Sequence, residues 1–236
     1  MGLSDAQILT EYVERFGKTG FDSLETLLTS PAGMGLETAT PAQRAICRIT
    51  EGRPLRDLAD NPDVAKMMGL TTKQLKNFHP TDRPRELVLI SGIRTAKSLL
   101  AATIAIRATQ TCGLDHLRAG EIPRYSIVSL SKDLASVVLH HLMGSLLASP
   151  SLSRLIYDQN AAKKWLKDGK PVGESVVLRH PTGRPVEIKV TAAKRAGASL
   201  VSRWSIGCCF DECARMLGAG DGVINLDDAR AAVKGR

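Results

Sequence analysis

Aromatic residues make up only 4% of this 236-residue chain. That scarcity argues against base stacking on aromatic platforms as its main activity, and it leaves Leu, Val, Ile and Ala to build the core. The five cysteines, Cys47, Cys112, Cys208, Cys209 and Cys213, form no spaced CxxC pairs, and no histidine stands at ligand spacing beside them. A zinc site needs such pairing, so the thiols read as small core residues in a reducing compartment. Long apolar runs are missing as well. The longest, Leu99 to Ile106, falls far below the ~20 residues that cross a bilayer. The N-terminus, MGLSDAQILTEYVERF, carries acidic residues early and no continuous apolar stretch, which excludes a secretory leader. No internal repeat or low-complexity run occurs. These absences place the protein in the cytoplasm, away from membranes.

What is present is ordinary globular material: 43% hydrophobic and 24% charged residues, enough for one α/β domain with a modest appendage. A chain of this length buries roughly 70–75% of its unfolded surface and needs neither metal nor disulfide to hold a core. Lys and Arg total 32 against 24 Asp and Glu, a formal charge of +8. Such a field suits a polyanion, a phosphate backbone above all. A merely solubilising surface has the same composition.

The first third reads helical. Ile8, Leu9, Tyr12, Val13 and Phe16 recur at helical spacing up to Gly17. Asp22 or Ser23 can cap a short helix from Leu24 to Leu28, and Thr40 caps another opened by Pro41 and running to Gly52. Residues 54–84 are short helices broken by Pro62, Gly69, Pro80 and Pro84. The character changes at Glu86. Leu87–Ile90 is a continuous apolar run, the pattern of a strand buried on both faces of a parallel sheet. A helix from Leu99 to about Thr109 follows, then a strand from Tyr125 to Leu130 and a helix from Leu134 to Leu147. Ser175 to His180 and Val186 to Thr191 form two strands joined by Pro181-Thr182-Gly183-Arg184-Pro185, a hairpin. Ser205 to Phe210 is a last apolar strand, and Leu226 to Val233 a short helix. The strand–helix alternation predicts an α/β fold with a mostly parallel sheet.

Two segments carry chemistry. Ser91-Gly92-Ile93-Arg94-Thr95-Ala96-Lys97-Ser98 sits between a predicted strand and a predicted helix, where a phosphate-binding loop belongs. In such a loop backbone N–H groups and the helix N-terminus surround the β-phosphate. Lys97 would reach the β- and γ-phosphates, and the Ser98 hydroxyl would ligate Mg²⁺. Ser91 stands in place of the pattern's first glycine and Ala96 in place of its second, where a Cβ opposes a positive φ. The second segment is Phe210-Asp211-Glu212, an apolar strand ending in adjacent carboxylates about 114 residues after Lys97. Asp211 would hold Mg²⁺ through its water shell, and Glu212 would orient and activate the attacking water. A solvated Asp-Glu at a strand terminus is the bland alternative. The order of the two segments favours a nucleotide site.

With both motifs in view, the chain resembles the large terminase subunits of tailed bacteriophages over approximately residues 37–236. The resemblance implies a three-layer P-loop core of the additional-strand, catalytic-glutamate type, with an inserted β-hairpin. A helical lead would occupy residues 1–84 and the ATPase core residues 85–236. It implies ATP and Mg²⁺ as cofactors and an ATPase that drives double-stranded DNA into a procapsid. The portal, a small terminase subunit and further copies of the same chain would be partners there, with a monomer in isolation. Family loops often carry Ala before the Lys, as Ala96-Lys97-Ser98 does. A cis-acting arginine of some members is matched approximately by Arg94. Thr40-Pro41-Ala42-Gln43-Arg44 is similar to the adenine-recognition segment, which gives Gln43 the base edge; read without the resemblance, Gln43 is a polar residue on an amphipathic helix.

Some residues stay outside the site. His140 and His141 share a helix with no carboxylate at metal spacing. Lys163, Lys164, Lys167 and Lys170 form a basic cluster, read first as a solvated face and second as a DNA contact. Arg195 and Arg203 could act in trans. In the resembled class a coupling strand follows the acidic strand, but only 24 residues follow Glu212, with no strand-like run. Poor hydrolysis by residues 1–236 alone is therefore expected. Two rivals remain: another DNA-dependent ATPase of helicase type, and a non-catalytic basic DNA-binding or assembly module. Comparing single- with double-stranded DNA stimulation separates the first; nucleotide binding with and without Mg²⁺ separates the second.

Overall fold

The computed structural model describes residues 21–78, 86–90, 95–168, 174–192 and 204–212. They fall into two compact units, Met1–Leu100 and Ala101–Arg236.

In the first unit, local capping dictates the helices. Ser23 caps α1 (Leu24–Thr29) by accepting from the Thr26 N–H, and Leu24, Leu27 and Leu28 turn inward. Thr40 and Gln43 form a reciprocal capping box at the start of α2 (Pro41–Thr50), with Pro41 pre-set for the first turn. A 3-10 turn (Arg56–Asp60) leads to α3 (Pro62–Met68), capped by Asn61 and ended by Gly69 at φ +64°. A second capping box, Thr71 with Gln74, opens α4 (Thr72–Lys76). These short helices are marginal alone. They are held by a shared core of Ala45, Leu55, Leu58, Val64, Ala65 and Leu75, where each enclosed leucine contributes about 1.5–3 kcal/mol.

An ion-pair brace ties α1, α2 and the 3-10 turn together. Glu25 accepts from Arg44 Nε at 2.7 Å and Arg48 Nε at 2.6 Å, while Arg48 Nη1 meets Asp57 Oδ1 at 2.7 Å and also the Leu55 carbonyl. Burial alone would raise the Glu25 carboxyl, but hydrogen bonds from Arg48 and Arg44 outweigh it and hold the group below its ordinary range. The hydrogen bond from Arg48 likewise lowers Asp57.

The second unit is an α/β assembly around a four-stranded, mostly parallel open sheet. β1 (Arg124–Ser129), β2 (Ser175–Arg179), β3 (Pro185–Ala192) and β4 (Ser205–Phe210) lie in the order β2-β3-β1-β4. β3 and β4 both run parallel to β1, and β2 pairs antiparallel with β3. All six residues of β1 are buried, as expected of a central parallel strand. The predicted hairpin is present: His180 N–H donates to the Arg184 carbonyl at 2.9 Å, with Gly183 at φ +83° in the turn. The Arg184 guanidinium donates to the carbonyls of Leu114 and Leu117 at 3.1 Å and of Arg118 at 2.7 Å, fixing the turn that follows α5 (Lys97–Thr111). α6 (Lys132–Ala148), capped by Ser131, packs on β1 and β3. The short α7 (Pro150–Ser153) and α8 (Gln159–Asp168) follow. On β4 a Cβ at Gly207 would lie 2.7 Å from Cε2 of the buried Tyr125 ring, so a larger residue there forces the ring to shift.

One predicted element is absent. Leu87–Ile90 forms no strand: residues 86–90 take no regular structure, and Val88 and Ile90 are 78% and 99% exposed. An apolar run becomes a buried strand only when a neighbour pairs its backbone, and no described strand pairs with this one. The predicted helices Ile8–Phe16 and Leu226–Val233 lie outside the described residues.

Candidate functional site

The phosphate-loop segment is described from Thr95 onward; Ser91, Gly92, Ile93 and Arg94 lie outside the described residues. Ala96 holds φ +60°, in the left-handed region, and its carbonyl accepts from the Leu100 N–H at 2.9 Å. The chain thus turns sharply and enters α5 at Lys97. Lys97 and Ser98 occupy the first turn, both partly exposed. An alanine in this conformation carries a cost of about 1–2 kcal/mol, the kind of local strain that concentrates at ligand sites. It is also the conformation for which the loop pattern has glycine.

Gln43 meets this loop. Its Nε2 donates to the Thr95 carbonyl at 3.0 Å, and its Oε1 accepts from the Thr40 N–H at 2.8 Å. The two predicted nucleotide segments, 52 residues apart, are therefore tied by one amide. Each end of that amide keeps capacity for one further hydrogen bond, so a base edge could still be read beside the tether. The brace beneath α2 holds Gln43 in place through Arg44 and Arg48.

In the second unit, Asp211 and Glu212 follow directly on β4. The Asp211 N–H donates to the Val128 carbonyl at 2.8 Å, the bond that closes the Val128–Phe210 pair at the end of the ladder. Asp211 therefore begins the turn that leaves the sheet at the carboxyl end of β4. Ligands of open parallel sheets bind along this carboxyl edge. Glu212 departs from the expected strand geometry: it lies in the turn after β4, with φ +56° in the left-handed region. Ser129 is fully buried, and its Oγ has no hydrogen-bond partner among the described residues. Sequence reasoning passed over Ser129, whose only signal was a hydroxyl closing an apolar strand.

The remaining sequence candidates separate. His140 and His141 are both exposed, and the His140 ring stands edge-on to Trp165 at 5.7 Å. Lys163, Lys164 and Lys167 are exposed on α8; Lys170, Arg195 and Arg203 lie outside the described residues. Cys47, Cys112, Cys208 and Cys209 form no disulfide among the described residues. Burial, with the charges of Glu25 and Glu51, pushes Cys47 up to about 12; burial pushes Cys112 to about 11 and Cys208 higher still. Among the described residues no group of three or more His, Cys, Asp or Glu could hold a metal ion, and no helix is long and apolar enough to cross a membrane. Comparisons with protein families, with curated proteins and with solved structures returned no match.

Proposed function

We propose that this chain binds Mg-ATP and serves as the ATPase part of a motor that packages double-stranded DNA, of the kind found in the large terminase subunits of tailed phages. The observation that carries the reading is the left-handed turn at Ala96, seated directly before Lys97 and tied to Gln43 through Thr95. Positive φ is uncommon for a residue other than glycine, and a turn delivering N–H groups and a lysine to a helix N-terminus is suited to phosphate.

Mg-ATP, when bound, supplies the transferable phosphoryl group and the cation that neutralises its charge. The chain's own residues then do the positioning. Lys97 would meet the β- and γ-oxygens, Ser98 and Asp211 would each be a ligand for the cation or its waters, and Gln43 would read the base edge. Glu212 would accept the proton of the attacking water. Such catalysis is mostly charge stabilisation and alignment around the γ-phosphate. The net charge of +8 and the exposed lysines of α8 support a phosphate-backbone partner.

The test is calorimetric titration of ATP with and without Mg²⁺ into the wild-type chain and into Lys97→Ala. Saturable binding by the first and at least ~100-fold weaker binding by a folded second supports the reading; equal affinities overturn it.

A further inference from the structure

We propose that Gln43 is a positioning residue for phosphate: its side chain pins the peptide plane between Thr95 and Ala96 and so aims the Ala96 N–H at the nucleotide's phosphates. This inference rests on the Mg-ATP reading above and adds to the base-edge role of Gln43. Both ends of the contact belong to the first compact unit. One end of the Gln43 amide is held by the capping box of α2. Oε1 accepts from the Thr40 N–H at 2.8 Å, and the Gln43 N–H donates to Thr40 Oγ1 at 3.3 Å. The other end, Nε2, donates to the Thr95 carbonyl at 3.0 Å. The cap therefore fixes the direction from which the donor reaches the loop.

A trans peptide is planar, and its carbonyl and N–H point opposite ways. Holding the Thr95 carbonyl toward Gln43 thus turns the Ala96 N–H away from it. On the far side of Ala96 the next plane is already fixed, because the Ala96 carbonyl accepts from the Leu100 N–H of α5 at 2.9 Å. The Thr95–Ala96 plane is the one that the helix leaves to be set. Flipping it would return Ala96 from φ +60° to a negative φ, which an alanine favours. That flip would also carry the Ala96 N–H to the opposite side. Phosphate loops act through N–H groups that converge on the anion, so the plane that alanine alone would abandon is the one that Gln43 retains. The side chain works here through the loop, without touching a phosphate itself.

Tripolyphosphate, which has phosphates and no base, is the probe, titrated calorimetrically with Mg²⁺ into the full chain beside Mg-ATP. Gln43→Met, uncharged and of similar length, should weaken tripolyphosphate and ATP alike by about three- to tenfold, the range of one neutral hydrogen bond. Ala96→Gly in the Gln43→Met background should recover most of that loss, since glycine adopts positive φ without penalty. A general disturbance of α2 would not be repaired from residue 96. Gln74→Met is the control: it removes the matching glutamine of the second capping box, at α4, and should leave tripolyphosphate affinity unchanged. Unaltered tripolyphosphate binding in Gln43→Met overturns the positioning role and leaves the Mg-ATP reading standing. An equal loss in Gln74→Met, or no recovery with glycine, overturns the role by tracing the loss to helix capping. ATP binding without tripolyphosphate binding in the wild type also overturns the positioning role alone. Absence of both bindings in the wild type overturns both proposals.

Discussion

Replacing Ala96 by glycine should make the protein more stable, although glycine ordinarily loosens a chain. Ala96 sits at φ +60°, where its Cβ crowds the backbone at a cost of about 1–2 kcal/mol. Glycine removes that cost but adds about 0.4–1 kcal/mol of unfolded-state entropy. The difference favours the variant by about 0.5–1 kcal/mol, which for a chain of this length corresponds to roughly 1–4 °C in Tm. Ala96→Val should move the other way, losing about 2 kcal/mol or more, since a β-branched residue is a genuine outlier in that region. Urea denaturation followed by circular dichroism gives the stabilities, and titration of Mg-ATP gives the affinities of the same variants. Binding should hold or tighten in Ala96→Gly and fall at least tenfold in Ala96→Val. A lower stability for the glycine variant, or tolerance of valine, would show that the turn before Lys97 is not left-handed in solution.

The two carboxylates should separate in behaviour: Glu212→Gln keeps Mg-ATP binding but lowers turnover by about 10²–10⁴-fold, whereas Asp211→Ala weakens the Mg²⁺ dependence of binding. Identical phenotypes in an ATPase and binding assay would refute the division of roles. Arg48→Met should destabilise the first unit by about 2–4 kcal/mol, because it leaves the nearly enclosed Glu25 short of its main partner; urea midpoints measure it. Glu25 is held below its ordinary value of 4.5, so the unfolded chain binds the proton more readily. The brace's contribution is then complete above that pH and fades as pH falls through the depressed value. The wild type should thus lose stability on acidification below about pH 4.5 more steeply than Arg48→Met, as urea titrations at pH 3 to 7 would show. Cys47, raised to about 12, should react with a disulfide reagent at pH 8 only after denaturant is added; prompt reaction in the native protein would contradict its burial.

Elements whose cause is local were legible from the sequence. Ser23 and Thr40 cap their helices through side chains three residues from their targets, and the Pro181–Pro185 stretch turns the hairpin by its own chemistry. β4 was legible to the residue, because Ser205–Phe210 is apolar between polar boundaries. Leu87–Ile90 failed for the opposite reason. Its composition records a preference for burial, but a strand is a property of two segments, and the second is not written in the first. The carboxylates were found by residue type, yet the turn at Glu212 depends on φ, for which a glutamate gives no sign. The Gln43–Thr95 hydrogen bond bridges 52 residues and leaves no local trace at all. Ala96 lies between these cases: its odd fit to a glycine position was visible, and the backbone conformation behind the oddity was not.

The contact between Tyr125 and Gly207 links two positions as alleles. A methyl group at residue 207 collides with the ring, so Gly207→Ala alone should be harmful. Trimming the ring first vacates that space, and the same alanine then becomes nearly neutral. Drift at either site is therefore conditional on the other, and the order of the two changes determines which lineage survives.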